Sequence, residues 1–448
     1  MRDPLQNRAC RNPPLRTGNR AIPPCAAGRS GCSLRAPLMP PAVNQPTPRR
    51  RLLAPLLAAL AMFGPFSIDT IFPAFPAIAA DLHASPLAMQ QTISAYMAAY
   101  ALMSLLHGPV SDALGRRRVI LAGVVVFTLA SIGCALARSI ETLLAFRALQ
   151  GMSAGAGLIV GRAIIRDCFD GVEAQKLMST VSMIFGVAPA VAPIVGGWVI
   201  AFARWPMIFW LLAAFAMALW LACLWLLPET HAREHRTVLS LGELGRTYRL
   251  ILGDRAFFPL ALAGSLNFNA LWVYISSAPA FVLGLLELDA QHFAWLFVPA
   301  ISGLMLGAFA SGRLAGRMSA NATVRLGYAI MLGASAINLL VALVLPQPRL
   351  PWSVLPIGLH AIGIGINFPT LTLLLLDRFP HHRGGVSSVQ AFVSLLISAV
   401  VAGALAPVLS ASVFRLALGA FVSTLVGFLA WQVYRRVEHR ERLPAAAV

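Results

Sequence analysis

Charge is scarce in this chain of 448 residues, and negative charge is scarcer still: 12% of side chains are charged, 17 acidic against 35 basic. Soluble domains carry about a quarter charged residues, so a water-soluble globular protein is excluded. Cysteine is sparse as well. Cys10, Cys25 and Cys32 fall in the first fifty residues and Cys134, Cys168 and Cys223 are scattered among apolar runs. No pair has metal-ligand spacing, and neither a metal centre nor a disulfide framework is expected. The glycine-rich "GAGLIVG" has no strand before it and no P-loop lysine after it, which speaks against a nucleotide site and ATP drive. Short alternating segments of a membrane β-barrel are missing. No His/Asp/Glu or Ser/His set converges at one depth, so an enzyme is not expected.

What the chain has in abundance is apolar length. Hydrophobic residues make up 58% and mean hydropathy is +0.75. Runs of about 20 residues, enough to cross a bilayer, recur at 52–80, 88–111, 117–137, 141–164, 174–202, 205–227, 257–284, 291–312, 322–345, 352–376, 385–410 and 412–434. Helices satisfy their own backbone groups in lipid. The expectation is an all-α membrane protein of 12 transmembrane helices.

The formal charge of +18 resembles a nucleic-acid signal until the arginines are placed. Arg116–Arg118, Arg162, Arg166 and Lys176, the group from Arg233 to Arg255, Arg313–Arg325, Arg378 and Arg383, and Arg435–Arg442 all fall at alternate connections. The remaining connections hold one each: Arg138, Arg204, Arg349 and Arg415. That bias is the positive-inside rule. Both termini are expected in the cytoplasm, and no nucleic-acid partner is implied. Residues 1–50, rich in Pro and Arg, read as a disordered cytoplasmic tail without the apolar core of a signal peptide. Met39, shortly before the first apolar run, stands as an alternative start. Residues 435–448 read as a second cytoplasmic tail.

The longest polar connection, 229–256, divides an N-terminal six-helix half (51–228) from a C-terminal one (257–434) and carries a short amphipathic segment. "HGPVSDALGRRRVILAG" after the second run has a degenerate counterpart, "ASGRLAGRMSANATVRLG", after the eighth. Two repeated halves with a substrate site near the midplane are a secondary-transporter architecture.

Several stretches carry a family resemblance. Gly108, Asp112, Gly115, Arg116 and Arg117 between the second and third runs, "RALQGMSAGAG" with Arg147, Gln150 and Gly151 in the fourth, and "GVAPAVAPIVGG" with Gly186, Pro189, Pro193, Gly196 and Gly197 in the fifth resemble the signatures of the major facilitator superfamily. "DTIFPAFPAI" and "RAIIRD" resemble its bicyclomycin- and chloramphenicol-resistance (Bcr/CflA) type of drug exporter. The resemblance covers about 52–434. It implies export of drugs or other small amphipathic compounds across the bacterial inner membrane in exchange for protons, with no cofactor beyond the proton gradient. It further implies that the glycines and prolines of the fifth run mark an antiporter. Relatives carry an aromatic two residues after the first-run acid, where this chain has Ile71. The rival readings are an uptake symporter for a sugar or organic acid, and a membrane-embedded enzyme or sensor.

The residues themselves nominate a site. Asp69 is the one carboxylate far from the end of an apolar run, and an acid at mid-membrane costs about 2.5–3.5 kcal/mol on insertion scales. Desolvation and a nearby cation pull such a group in opposite directions, which suits it to proton coupling or substrate contact; a structural Asp bonded to backbone or to Arg147 is the plainer alternative. Gly64-Pro65, Pro73 and Pro76 are expected to kink its helix. Arg147 lies roughly 9 Å inside the fourth run and Asp69 roughly 18 Å inside the first, within reach of a long side chain. An Arg that only holds Gln150 or a neighbouring carbonyl is the bland alternative to a role in proton movement, which the resemblance implies. Gly108 is expected to permit close helix approach, and Asp112 to cap a helix of the other half as a gate latch. Substrate-cavity candidates are Tyr96, Gln150, Asn267, Asn269, Trp272, Tyr274, His360 and Asn367, each of which has interhelical packing as its bland reading. "HAREH", 231–235, mimics a zinc motif but sits in a surface loop. Expected partners are a small-molecule substrate, protons and lipid, and one chain of this size can work alone.

Overall fold

The computed structural model describes residues 47–445, apart from 170, 232–233, 235, 237–239, 346 and 381. Most of the expected N-terminal tail and part of the HAREH motif thus lie outside the described residues. The described residues are almost all helical: α1 (Thr47–Asp69), α2 (Phe75–Asp81), α3 (Pro86–Leu114), α4 (Arg116–Ala135), α5 (Ile140–Cys168), α6 (Gly171–Phe202) and α7 (Pro206–Leu226) form one half. The linker helix α8 (Leu241–Gly253) follows. The second half is α9 (Phe257–Ser276), α10 (Ala294–Leu314), α11 (Ala320–Val344), α12 (Leu355–Arg378), α13 (Arg383–Val400), α14 (Ala406–Leu409) and α15 (Val413–Ala445). Eleven spans among the described residues are long and apolar enough to cross a membrane, with α1 and α2 counted as one and α13 and α14 as another. The long helix α6 fills the twelfth position.

Local chemistry sets the breaks. Pro73 lacks a backbone donor and disfavours helix in the residue before it. The first span therefore stops at Asp69, passes through a 3-10 turn at Phe72–Ala74 and resumes at Phe75. Pro65, also expected to kink the span, lies inside α1 without ending it. Gly115 closes α3 at φ +102°, a conformation that side chains oppose. In the linker, Ser240 accepts from the Glu243 amide as an N-cap. The last span does not stop at residue 434 as expected. It runs on to Ala445, and Glu441 on that extension accepts from Arg378 at 2.8 Å.

One face of the bundle carries the start of α1 and the end of α15 and is called here the terminal face. Two polar clusters stand on it. Arg116 pairs with Asp112 and Asp167, and its amide donates to Glu229 at 2.9 Å. Arg378 bridges Asp254 at the start of α9 and Glu441 on α15. Direct hydrogen bonds between the halves gather toward the opposite face. There Gln91 and Ser94 of α3 donate to the carbonyls of Gly403 and Ala399 at 2.8 Å each. The second partner is a helix interrupted by a π-turn at Val401–Leu405. Gly197 of α6 approaches the Ala290 backbone so closely that a Cβ would lie 2.4 Å from its oxygen. On the terminal side α8 straps the halves: Tyr248 donates to the Leu105 carbonyl of α3 at 2.8 Å, while Thr247 and Ile251 pack on Gly385 of α13.

Candidate transport site

The break after α1 leaves helix-end carbonyls without helical partners, and this is where the acid sits. Asp69 is the last residue of α1 and only 2% exposed, with Oδ1 unpartnered. It faces protein, not lipid. Arg147 of α5 is wholly buried and donates to the Ser67 carbonyl at 3.3 Å and to Gln150 Oε1 at 2.7 Å. Its guanidinium lies 4.5 Å from the centroid of the Tyr96 ring, a cation–π arrangement. Gln150 in turn donates to Ser131 of α4 at 2.8 Å. Ser67 donates to the Tyr96 hydroxyl at 3.0 Å. Asp69 and Arg147 act on each other electrostatically without a direct ion pair among the described contacts.

Arg147 Nε and Nη2, like Asp69 Oδ1, have no partner. Buried polar groups are normally paired, so a carboxyl and a guanidinium that leave each other incompletely satisfied are open to water or substrate, and the carboxyl to a proton. The structure brings together Asp69, Arg147, Tyr96 and Gln150. Ser67 and Ser131 complete the cluster. Ser67 lies two residues before the acid, a signal available in the sequence; Ser131 gave none.

The other cavity candidates lie elsewhere. Tyr274 accepts from Asn338 at 2.7 Å, and His360 Nε2 meets Thr424 Oγ1 at 3.0 Å. Because Thr424 donates to the Ala420 carbonyl, its oxygen is left to accept and the His360 proton belongs on Nε2. Tyr274, Asn338 and His360 surround a cavity of about 10 Å³ inside the second half, roughly the room of one water. Trp272 donates to the Ser398 carbonyl at 2.9 Å. Asn267, bonded to the Ile364 carbonyl, Asn269, and Asn367, whose amide meets Met331 Sδ, each keep a buried side-chain oxygen unpartnered.

The latch residues are not engaged across the halves. Asp112 pairs with Arg116 of its own half and is 40% exposed at its side chain, and Arg117 donates to the Leu224 carbonyl. The close helix approach expected at Gly108 is absent, since a Cβ there would meet nothing within 4 Å. The physical reason is that the direct hydrogen bonds between the halves gather at the far end of α3. In α6, Gly196 packs against the Thr70 backbone and Gly197 against Ala290; Pro189 and Pro193 stay inside a continuous helix that also contains Gly186. No cluster of three His, Cys, Asp or Glu able to hold a metal exists among the described residues.

Eleven spans among the described residues with the long helix α6 in the twelfth position, arranged in two halves with a buried carboxyl and guanidinium inside one of them, define a multi-pass membrane transporter of small molecules rather than an enzyme. The profile of the Major Facilitator Superfamily matches residues 57–402, and the chain belongs to that family. A bicyclomycin resistance protein homolog of Haemophilus influenzae is 27% identical over 77% of this chain and 86% of its own. The multidrug transporter MdfA of Edwardsiella piscicida is 31% identical over 78% and 85%. These relatives bear out the resemblance to the Bcr/CflA type. A solved bacterial homolog of the human lysosomal transporter Spinster superposes with a TM-score of 0.64 at 16% identity, covering 87% of this chain and 97% of that one. That likeness bears out the fold.

Proposed function

We propose that the chain is a proton-coupled antiporter that exports drugs and other small amphipathic compounds across the bacterial inner membrane, with both termini in the cytoplasm. The observation that carries the reading is Asp69, a carboxylate 2% exposed with a free oxygen, beside a buried arginine. An intramembrane acid turned into the bundle is a proton-relay signature. The names of the two drug-related relatives support export, and the arginine bias supports the orientation. With the terminal face inside the cell, the halves are sealed toward the outside in this structure.

Asp69 gains a proton when the site opens outward and loses it inward, and drug competes with the proton for the vacated charge. The membrane potential supplies about 2.3 kcal/mol per net charge per 100 mV, enough for one proton to concentrate an uncharged drug outward more than tenfold; a monovalent cation exchanged for one proton moves no net charge and draws on the pH gradient alone. No cofactor enters this cycle, and one chain suffices for it. The test is efflux of a fluorescent cation from cells lacking other pumps, with Asp69→Asn as the variant. Efflux should fall to background while the folded protein remains at wild-type levels in the membrane. Wild-type efflux by Asp69→Asn would remove the carboxylate from the mechanism.

A further inference from the structure

In the conformation seen here, Asp69 is 2% exposed and the halves are bonded together toward the opposite face. A proton leaving the acid toward the terminal face needs a route through protein. One helix face offers it. Tyr96, Tyr100, Ser104, His107 and Ser111 of α3 follow one another at helical spacing on a single side, and none is more than 9% exposed. They run along the seam with α5, where Gly151 receives the Tyr96 backbone.

The upper end of this stripe is the candidate site, where Tyr96 faces Arg147 and accepts from Ser67. The lower end is the cluster on the terminal face: Ser111 accepts from Arg116, which pairs with the partly exposed Asp112. From Tyr96 to Ser111 the stripe spans about 22 Å. Its middle is the decisive part. A Cβ on Gly155 would lie 2.6 Å from the Tyr100 ring and 2.9 Å from His107 Nδ1, so both rings occupy the space that this glycine leaves. His107 is 4% exposed and Nδ1 has no hydrogen-bond partner. The carbonyls of Met103 and Met152 flank the ring and can accept from it when it is protonated. The charged neighbour in this stretch is Arg162 of α5, which acts on Tyr100; no carboxylate pairs with His107 among the described residues.

We propose that the α3–α5 seam is the route of the proton between Asp69 and the terminal face, with His107 as its titratable relay. The proposal rests on Asp69 being the coupling acid. The carboxyl gives up its proton to the hydroxyl stripe, His107 takes one on Nδ1 and releases one from its other nitrogen toward Ser111 and Asp112. The transfer leaves His107 as its other tautomer and the hydroxyls turned; rotation of the ring and of the hydroxyls resets them, and the net change is one proton moved from Asp69 to water. Bridging waters close the gaps longer than a hydrogen bond.

Purified protein in liposomes tests this with ethidium as the probe, comparing proton-driven efflux with ethidium–ethidium exchange. Exchange cycles the drug without releasing the proton, so a relay defect and a folding defect separate. His107→Gln should slow proton-driven efflux about tenfold or more and leave exchange within about twofold of wild type. Tyr100→Phe should slow it several-fold with the same split. If both variants match wild type in both assays, or lose both together, the route is wrong. Asp69→Asn reads the underlying acid: if it keeps proton-driven efflux, the coupling role falls and the route with it. If it loses efflux while His107→Gln and Tyr100→Phe do not, the route alone falls.

Discussion

Arg147 is held by geometry as much as by charge. Nη1 alone donates to both the Ser67 carbonyl and Gln150 Oε1 while the guanidinium plane lies on Tyr96, and a lysine offers a point charge without that plane or that reach. Arg147→Lys should therefore keep the charge yet lose a charge-assisted hydrogen bond worth about 1.5–3 kcal/mol, seen as a lower unfolding temperature in detergent. Arg147→Ala leaves buried acceptors orphaned and should cost more. If the two variants melt together, the planar guanidinium is not what the site requires. The acid and the arginine could both be picked out from the sequence because charge in an apolar run is conspicuous. Ser131 could not, because a serine in an apolar helix looks the same whether or not a glutamine reaches it.

At the scale of helices, two junctions on the terminal face make separate predictions. Gly115 at φ +102° has Glu229 Oε2 where a Cβ would go, 2.4 Å away. Gly115→Ala then strains the α3–α4 link by about 1–3 kcal/mol, and thermal unfolding should register it. Asp254 is partly desolvated, which raises its pKa. The hydrogen bonds and charge of Arg378, with the amides of Ala256 and Phe257, outweigh that and hold it below the ordinary value of 3.8. A carboxylate depressed by folding stabilises the fold above its unfolded pKa and loses that contribution as pH falls through the folded value. The tie of α9 to α12 and α15 should thus persist at pH 5 and fade below about 3.8. Asp254→Asn should cost about 1 kcal/mol at pH 7, after allowance for solvent screening, and should remove this acid sensitivity.

For the whole molecule the seal toward the opposite face is the testable feature. Gly403 lies in the π-turn against α3, and a Cβ there would sit 2.4 Å from Ser94 Oγ. Gly403→Val should hold the halves apart at that face, stop transport, and speed labelling of a cysteine at Gln91 by an impermeant maleimide. Unchanged labelling would mean the seal gives way elsewhere. In this closure Asp112 stays with Arg116 of its own half, and the latch expected between halves is not formed. A sequence has one pattern, whereas a transporter has at least two arrangements, so the partner of a latch is not legible in either.

The number of spans, the two halves, the bias of charge and the loneliness of Asp69 were all determined by the sequence, because a bilayer imposes length and polarity one segment at a time. Helix ends were legible where proline or glycine sets the backbone, as at Pro73 and Gly115, and not at residue 434, where an ion pair from α12 favours a longer helix. Only the tertiary structure decided that Tyr96 and Gln150 join Asp69 and Arg147 while Tyr274 and His360 turn into the second half. Which side of a helix meets which neighbour depends on packing between segments far apart in the chain, and local periodicity carries no record of it.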